Sequence, residues 1–298
     1  MDDRATAREP SATVIGVACG VGAALFWAAG FVAARHGITV GLSPADMALH
    51  RYVWSGLALL PLLPSQGAAE LRAVGWVRAI ILTLLGGPLL AIISYAGFLL
   101  VPLGHGAVIQ PACAALGGLL LATIVLKEQP PLARMAGALI IVSGLVVIAG
   151  EALNTIGTHG LLGDFAFAAA GLMFATFGML LKLWRITAIR SVGIVSVISL
   201  VYVPIHWWLF GFERMIDTGL FENLLQALVQ GVFAGPGSTY LYTRSVVALG
   251  VGRAAVFPSL VPGFTLLIGF VLLGEIPSLL QLIGFAVVLI GFRLTQRG

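Results

Sequence analysis

The sequence predicts an all-α integral membrane protein, with ten transmembrane helices in two inverted five-helix repeats around a central cavity. Three observations support this prediction: a very low charge content, a series of long apolar segments, and a motif that occurs twice. Of the 298 residues, 59% are hydrophobic and 9% are charged, and the mean hydropathy is +1.06. A typical soluble domain has about 25% charged residues, and a soluble fold with so few would expose large apolar patches.

Ten apolar segments have the length of a membrane-crossing helix, which needs roughly 17 to 25 residues. The predicted helices are 14–34, 44–64, 77–101, 104–126, 131–150, 160–181, 190–212, 223–248, 252–273 and 276–294. Turn-forming residues separate them, as in the stretch Leu42-Ser43-Pro44. Backbone polar groups find no water in lipid, so the segments are predicted to be helical. The short alternating segments typical of a β-barrel are absent from the sequence.

The distribution of Lys and Arg predicts the orientation, because cytoplasmic loops carry an excess of both. If the N-terminus is cytoplasmic, two arginines, Arg35 and Arg214, lie outside. Twelve basic residues then lie inside: Arg4, Arg8, Arg72, Arg78, Lys127, Arg134, Lys182, Arg185, Arg190, Arg253, Arg293 and Arg297. We therefore expect both termini in the cytoplasm, with residues 1–13 as a polar tail. No Ala-x-Ala site closes a short apolar core, which argues against a signal peptide.

The duplicated motif divides the chain into two halves, predicted at 14–150 and 160–294. The first copy consists of Pro111, Glu128, Pro130, Gly137 and Gly144, and the second of Pro258, Glu275, Pro277, Gly284 and Gly291. Spacing within the two copies is identical. Because five is an odd number of helices, the halves must insert with opposite orientations. Inverted repeats are typical of alternating-access transporters, which bind substrate near the midplane at the repeat interface.

Matched helix breaks are predicted within helices three and eight. Gly87-Pro88 lies in one and Gly235-Pro236-Gly237 in the other. Proline removes a backbone hydrogen bond and kinks a helix, and the freed carbonyl groups must face protein or a watery cavity. We interpret these residues as hinges or gates beside a central cavity. The alternative is that Pro and Gly are simply common in membrane helices.

The paired glutamates and glycines of the motif favour structural roles. Glu128 and Glu275 each end a helix two residues before a proline, where a carboxylate can cap the next helix. A gate or proton site is the alternative for these acids. The motif glycines, and the stripe Gly16, Gly20, Ala24 and Ala28, are predicted to let helices approach closely.

Arg51 is the strongest candidate for contact with substrate, because a charge inside a membrane is costly and usually faces a cavity or a partner. Its guanidinium could bind a carboxylate through two hydrogen bonds, with His50 beside it. The alternatives are extension to the interface or pairing with Asp46. Aromatic side chains could supply the apolar wall of a cavity, or merely pack or face lipid. The predicted wall consists of Trp27, Phe31, Tyr95, Phe177 and Tyr240.

Several chemistries have no candidate residues in the sequence. No Asp or Glu lies at the centre of a predicted helix, so we expect facilitated transport or weak ion coupling. Cys19 and Cys113 lack a Cys-x-x-Cys partner, so neither a metal site nor a cofactor is predicted. The enzyme motifs His-Glu-x-x-His and Gly-x-Ser-x-Gly are absent, which argues against a membrane-embedded enzyme.

The order of these motifs resembles the drug/metabolite transporter superfamily, EamA type. The first predicted helix contains Leu25-Phe26-Trp27-Ala28-Ala29-Gly30-Phe31, and the second has Pro44 followed by Arg51. Together with the two Pro…Glu-x-Pro…Gly…Gly blocks, the resemblance covers nearly the whole chain. Among its members, the chain most resembles the YddG-type exporters of aromatic amino acids. Small four-helix relatives carry an essential glutamate in their first helix, and this chain has no acid there.

The resemblance implies a bacterial inner-membrane protein whose central cavity opens to each side in turn. We predict export of small metabolites, foremost aromatic or hydrophobic amino acids, with the lipid bilayer as its other partner and no nucleic acid. The cavity of the family lies within one chain, so a monomer can be sufficient. The alternative function is efflux of drugs or cationic compounds, which would require a buried carboxylate to pair with the cation.

Overall fold

The computed structural model describes residues 10–60, 74–125, 127, 129–155, 157–249, 254 and 257–295. Within these ranges the chain is helical and contains no strand. The helices are α1 (Pro10–Thr39), α2 (Pro44–Leu59), α3 (Trp76–Gly86), α4 (Pro88–Gly97), α5 (Leu103–Ile124), α6 (Leu132–Thr155), α7 (Thr158–Trp184), α8 (Ala188–Ile198), α9 (Tyr202–Phe210), α10 (Glu213–Gln226), α11 (Ser238–Leu249), α12 (Val261–Leu273) and α13 (Leu279–Thr295). A π-helix, Ala227–Gly237, joins α10 to α11.

Six stretches of the described chain are long and apolar enough to cross a membrane. They are Ala12–Thr39, Trp76–Gly97, Leu103–Ile124, Leu132–Gly150, Thr158–Trp184 and Arg190–Phe210. Val261–Leu273 and Leu279–Leu294 are shorter apolar helices. The chain is therefore a multi-helix membrane protein, and the count of ten crossings stays a prediction.

The two predicted breaks coincide with non-helical backbone. Gly87 has φ −108° and ψ −148° and separates α3 from α4, with Pro88 as the first residue of α4. Gly235 has φ −88° and ψ −108° inside the π-helix, directly before Pro236. Pro111, in contrast, lies inside the continuous helix α5. Proline alone therefore does not break these helices, whereas the Gly-Pro pairs do.

Glycines of the duplicated motif form the crossing between α6 and α13. A Cβ atom added to Gly144 would lie 2.8 Å from the carbonyl oxygen of Gly284, and one added to Gly291 would lie 2.7 Å from that of Gly137. The backbones of the two helices thus touch where the motif places glycine in both. This agrees with the packing role predicted from the spacing.

The stripe of small residues on α1 also packs as predicted. A Cβ at Gly16 would lie 2.7 Å from the Leu249 side chain of α11, and Gly20 is covered by the ring of Phe257. Ala24 and Ala28 are fully buried against Val261 of α12. Helix α1 therefore occupies a central position between helices from the second half of the chain.

Several boundaries differ from the predicted ones. Of the helix predicted at 252–273, Phe257–Leu260 is a 3₁₀ turn and Val261–Leu273 is α-helical. Helix α1 begins at Pro10, so part of the predicted tail is helical, because nothing in Pro10–Thr13 opposes a helix. Residues 213–222 were predicted as a loop, but they belong to the helical stretch Glu213–Gln226, which bends at Gly219 with φ 84°. The polar composition of this stretch hid its helix from a hydropathy argument. Residues 1–9 of the predicted tail lie outside the described residues.

Candidate functional site

Arg51 lies on α2 with its guanidinium directed at the broken helix of the second half. Its Nη1 donates to Oε1 of Gln230 at 3.2 Å, and its Nη2 donates to the carbonyl oxygen of Ala234 at 3.3 Å. Both acceptors are neutral. Asp46, the alternative partner considered above, instead accepts from Ser43 and bonds His206. In the described part of the chain, no carboxylate pairs with the Arg51 charge.

Gln230 organises the surroundings of Arg51. It is fully buried, and its Oε1 also accepts from the hydroxyl of Tyr95 at 3.1 Å. Its Nε2 donates to the carbonyl oxygen of Gly30 at 2.6 Å. A Cβ on Gly30 would lie 3.8 Å from Nη1 of Arg51, so α1 closes on the site at a residue without a side chain. Gln230 thus joins α1, α2 and α4 at one point.

Distorted backbone lies directly beside this point. Ser55, one turn after Arg51, has its Oγ 2.6 Å from the carbonyl oxygens of both Arg51 and Gly231. A Cβ at Gly235 would lie 2.6 Å from the same hydroxyl. π-Helical segments are frequent at functional sites, because they expose backbone groups that a regular helix would use. Here the π-helix supplies the Ala234 carbonyl to Arg51.

The matching break in the first half has a partner from α2. The hydroxyl of Tyr52 donates to the carbonyl oxygen of Gly86 at 2.7 Å, immediately before the break at Gly87. Phe177 packs on the same glycine, since a Cβ at Gly86 would lie 2.8 Å from its ring. Arg51 and Tyr52 are adjacent in sequence, so the middle of α2 connects the two breaks.

The predicted aromatic wall is only partly assembled. Trp27 and Phe31 flank Gly30 on α1, with Trp27 5.5 Å from the ring of Tyr242 and Phe31 6.3 Å from that of Phe98. Gln230 links Tyr95 to this part of α1, because it accepts from the Tyr95 hydroxyl and donates to the Gly30 carbonyl. Tyr240, by contrast, is 56% exposed, while Tyr242 on the same helix faces inward to Trp27. The predicted wall did not include Tyr242, because the sequence does not reveal which of two tyrosines separated by one residue faces inward.

His50 has a protein partner at each ring nitrogen, and its predicted contact with a substrate carboxylate stays a prediction. The ring is buried, Nδ1 accepts from Nε1 of Trp54 at 3.1 Å, and Nε2 lies 3.1 Å from Oδ1 of Asn223. Both ring nitrogens are therefore occupied in this conformation. His50 and Arg51 point to different neighbours, since consecutive residues on a helix lie on different faces.

A ladder of polar side chains continues from Gln230 along one face of its helix. Glu222, Gln226 and Gln230 are spaced by four residues and buried. Each contacts α1: Glu222 lies 3.2 Å from Nε2 of His36, and Gln226 donates to the carbonyl of Ala33 at 2.9 Å. The spacing of four residues between these polar side chains is the sequence signal that indicates Gln230.

Buried acids occur near the ends of helices, where each meets a histidine. Oδ1 of Asp46 lies 2.8 Å from Nε2 of His206, and Oδ1 of Asp164 lies 2.8 Å from Nδ1 of His105. Asp46 also completes a capping box with Ser43 at the start of α2. These acids hold helix ends together rather than lining the middle of the bundle. Among the described residues, no cluster of His, Cys, Asp or Glu could hold a metal ion.

Glu275 caps a helix other than the predicted one. Its Oε2 accepts from the backbone N–H of Leu103, at the start of α5, at 2.9 Å. The following helix, α13, has its own capping pair, in which Ser278 and Gln281 exchange backbone-to-side-chain bonds of 3.3 and 3.1 Å. Glu275 therefore caps α5 and forms an ion pair with Arg35. The related Glu128 lies outside the described residues.

Comparison with known proteins identifies the family. The model of the EamA-like transporter family matches this chain twice, over residues 14–150 and 161–296. The chain belongs to the EamA-like transporter family. A membrane transporter of this family moves a small molecule, which agrees with a site built from one charge and several rings inside a helical bundle.

Two individual comparisons add to the family assignment. The "Probable terminal-alkyne amino-acid exporter" of Streptantibioticus cattleyicolor is 26% identical over 280 residues, which are 91% of this EamA chain and 90% of the relative. A crystal structure of another protein is 18% identical, with a TM-score of 0.61 and coverage of 95% of both chains. The solved structure supports the fold alone, whereas the relative has an amino acid in its name.

Proposed function

We propose that this EamA transporter exports amino acids, foremost aromatic and hydrophobic ones, across the bacterial inner membrane. The observation that carries the proposal is the guanidinium of Arg51, which donates to the neutral acceptors Gln230 and Ala234 and meets no carboxylate among the described residues. A charge held within a membrane bundle is strongly stabilised by an opposite charge. An amino acid brings that charge in its carboxylate, and the related exporter from Streptantibioticus cattleyicolor is named for amino acids.

The aromatic preference is supported by the rings around Gly30. Trp27 and Phe31 flank this glycine, and Tyr95 shares Gln230 with Arg51. Rings stack on and pack edgewise against other rings, so a phenyl or indole side chain gains contacts here that a small polar side chain does not. Phe177, beside Gly86, extends the same apolar surface in this proposal.

Alternating access would use the two breaks as hinges or gates. The five-helix halves are proposed to insert with opposite orientations, and both termini are proposed to be cytoplasmic. The double family match, one Gly-Pro break in each half, and the glycine crossing of α6 and α13 support this arrangement. Gly235 directly follows Ala234, whose carbonyl contacts Arg51, and Gly87 directly follows Gly86, whose carbonyl accepts from Tyr52, so bending at either break would open or close the site.

Transport is proposed to be facilitative. The buried acids Asp46, Asp164 and Glu222 each contact a histidine, and none of the three contacts Arg51. A proton-coupled exporter usually alternates protonation of an acid that shares the substrate site. The same reasoning argues against efflux of cations, because the described site offers them a guanidinium instead of a carboxylate.

The proposal is tested with proteoliposomes loaded with labelled Phe, Tyr, Trp, Leu, Ala and Lys. We expect saturable efflux of the aromatic residues without an imposed proton gradient, and Arg51→Ala should reduce it by about tenfold or more. Neutral analogues without the carboxylate should lose far less. Equal loss for both classes would indicate a folding role for Arg51. Gradient-dependent movement of lipophilic cations instead of amino acids would favour the drug-efflux alternative.

A further inference from the structure

A cavity of about 440 Å³ lies at one end of the bundle, separate from the Arg51 site. It is bounded by the start of α5, one face of α12 and the segment that leads into α13. Its lining includes Arg35, Leu103, His105, Leu266, Glu275 and Ile276. None of the predicted substrate residues lines it. The volume falls in the range of pockets for small organic ligands.

An ion pair of opposite charges forms one wall of this cavity. Nε of Arg35 lies 2.6 Å from Oε1 of Glu275, and the two side chains are 21% and 25% exposed. Arg35 also donates through Nη1 to the carbonyl of Phe98, while Glu275 accepts from Leu103 N–H. The pair is therefore anchored on both sides by backbone groups. Its charges are fixed in place and remain accessible from the cavity.

Both members of the pair retain hydrogen-bonding capacity. Within the described structure, the bonds of Arg35 use Nε and Nη1, so the two N–H groups of Nη2 are available. Each carboxylate oxygen of Glu275 accepts one bond, and an ionised carboxylate offers about four acceptor positions. A ligand can thus bind both charges without separating them.

We propose that this cavity is a second binding site that takes an α-amino acid in its zwitterionic form. Its carboxylate binds Nη2 of Arg35, its ammonium group binds Glu275, and its side chain lies against Leu103, Leu266 and Ile276. A simple anion would meet the charge of Glu275, and a simple cation would meet that of Arg35, so the pair selects ligands that carry both charges. The assignment rests on the proposed function, because it assumes the same substrate class.

The location of the cavity indicates a role in release. Arg35 lies near the end of α1 and Glu275 follows the end of α12, which the proposed orientation places on the outer side. An exported amino acid would meet this site after it leaves Arg51. Amino acid that accumulates outside would occupy it too, and would slow further efflux.

The test measures equilibrium binding of labelled L-phenylalanine to the full chain in nanodiscs. In the Arg51→Ala variant we expect one site to remain. Unlabelled 3-phenylpropionate and phenethylamine, which each lack one charge, should compete about tenfold or more less well than L-phenylalanine. Gln230→Glu, which supplies Arg51 with a carboxylate of the same shape, gives a second background if Arg51→Ala fails to fold.

The variant that tests the selectivity for charge is Glu275→Gln, introduced into either the Arg51→Ala or the Gln230→Glu protein. The neutral side chain keeps one acceptor oxygen for either Arg35 or Leu103 and no longer repels an anion, so 3-phenylpropionate should gain about tenfold relative to L-phenylalanine. Glu213→Gln, at an exposed acid on α10, is the matched control and should change nothing. Loss of all binding with Arg51→Ala and Gln230→Glu, while the unmodified chain binds, overturns the second site and supports the proposed function. Unchanged selectivity with Glu275→Gln also overturns the second site. The proposed role of Arg51 is tested separately by the efflux assays.

Discussion

The Arg51 guanidinium is held by an amide, with Nη1 donating to Oε1 of Gln230 at 3.2 Å. A carboxylate at position 230 would have the same shape and would neutralise the charge. The chain has glutamine there, buried and fixed by bonds to Tyr95 and Gly30. Gln230 therefore orients the guanidinium and leaves its charge for another partner, which in our proposal is the substrate.

Gln230→Glu is predicted to reduce transport of amino acids by about tenfold or more, because the new carboxylate would occupy the guanidinium in place of the substrate. The change also removes the Nε2 donor to the Gly30 carbonyl, so thermal denaturation must show that the variant is folded. Efflux of neutral analogues should change far less. The measurement compares the two substrate classes in proteoliposomes. Gln110→Glu is a matched control, since Oε1 of Gln110 accepts from the Ser94 hydroxyl and a carboxylate can do the same. Normal amino-acid transport by Gln230→Glu would refute a carboxylate site at Arg51.

Gly144→Ala is predicted to destabilise the bundle by about 1–3 kcal/mol, since the added methyl group overpacks the crossing of α6 and α13. That methyl would lie 2.7 Å from the Val288 side chain and 2.8 Å from the Gly284 carbonyl oxygen. Thermal denaturation in detergent should show a lower midpoint. Gly150→Ala, on the same helix with no atom within 4 Å, should be neutral or slightly stabilising. Equal midpoints for the two variants would mean that α6 and α13 do not touch at Gly144.

The sequence allowed the helices and their breaks to be predicted because those features depend on local properties. Hydropathy located most of the apolar segments, and Gly-Pro pairs located Gly87 and Gly235 as breaks. The helix over residues 213–222 was missed, since it is polar and bends at Gly219. A hydropathy argument detects long apolar segments and does not detect a polar helix.

The polar partners were harder to predict because they join residues that are distant in sequence. Nothing near Arg51 in the sequence indicates Gln230, and nothing near Glu275 indicates Leu103 or Arg35. The expected cap of Glu275 followed from its position before Pro277, but Ser278 and Gln281 already cap that helix. Only the folded chain shows which acceptor each donor reaches.

Tyr52→Phe is predicted to lower stability by about 1–3 kcal/mol, because it leaves the Gly86 carbonyl without its hydroxyl donor in a buried setting. The bond at 2.7 Å lies directly before the break at Gly87. Thermal denaturation in detergent provides the measurement. Tyr242→Phe is the control, since that ring can keep its contact with Trp27. If Tyr52→Phe melts like the unmodified chain, water or another group must satisfy the Gly86 carbonyl.

The helix breaks at Gly87 and Gly235 are predicted to bend during transport. Pro88→Ala and Pro236→Ala each restore a backbone N–H, and so favour a continuous helix at a place where the chain is bent. If the bends act as gates, the maximal efflux rate should fall several-fold, while binding of amino acid at Arg51 changes little.

Pro111→Ala provides the comparison for both variants, because Pro111 lies inside the continuous helix α5. The maximal rate of this variant should stay near that of the unmodified chain. Parallel losses of binding and rate in Pro88→Ala and Pro236→Ala would instead mean that the prolines shape the site itself. A loss of rate alone, in both halves of the chain, is the result that alternating access through two matched gates requires.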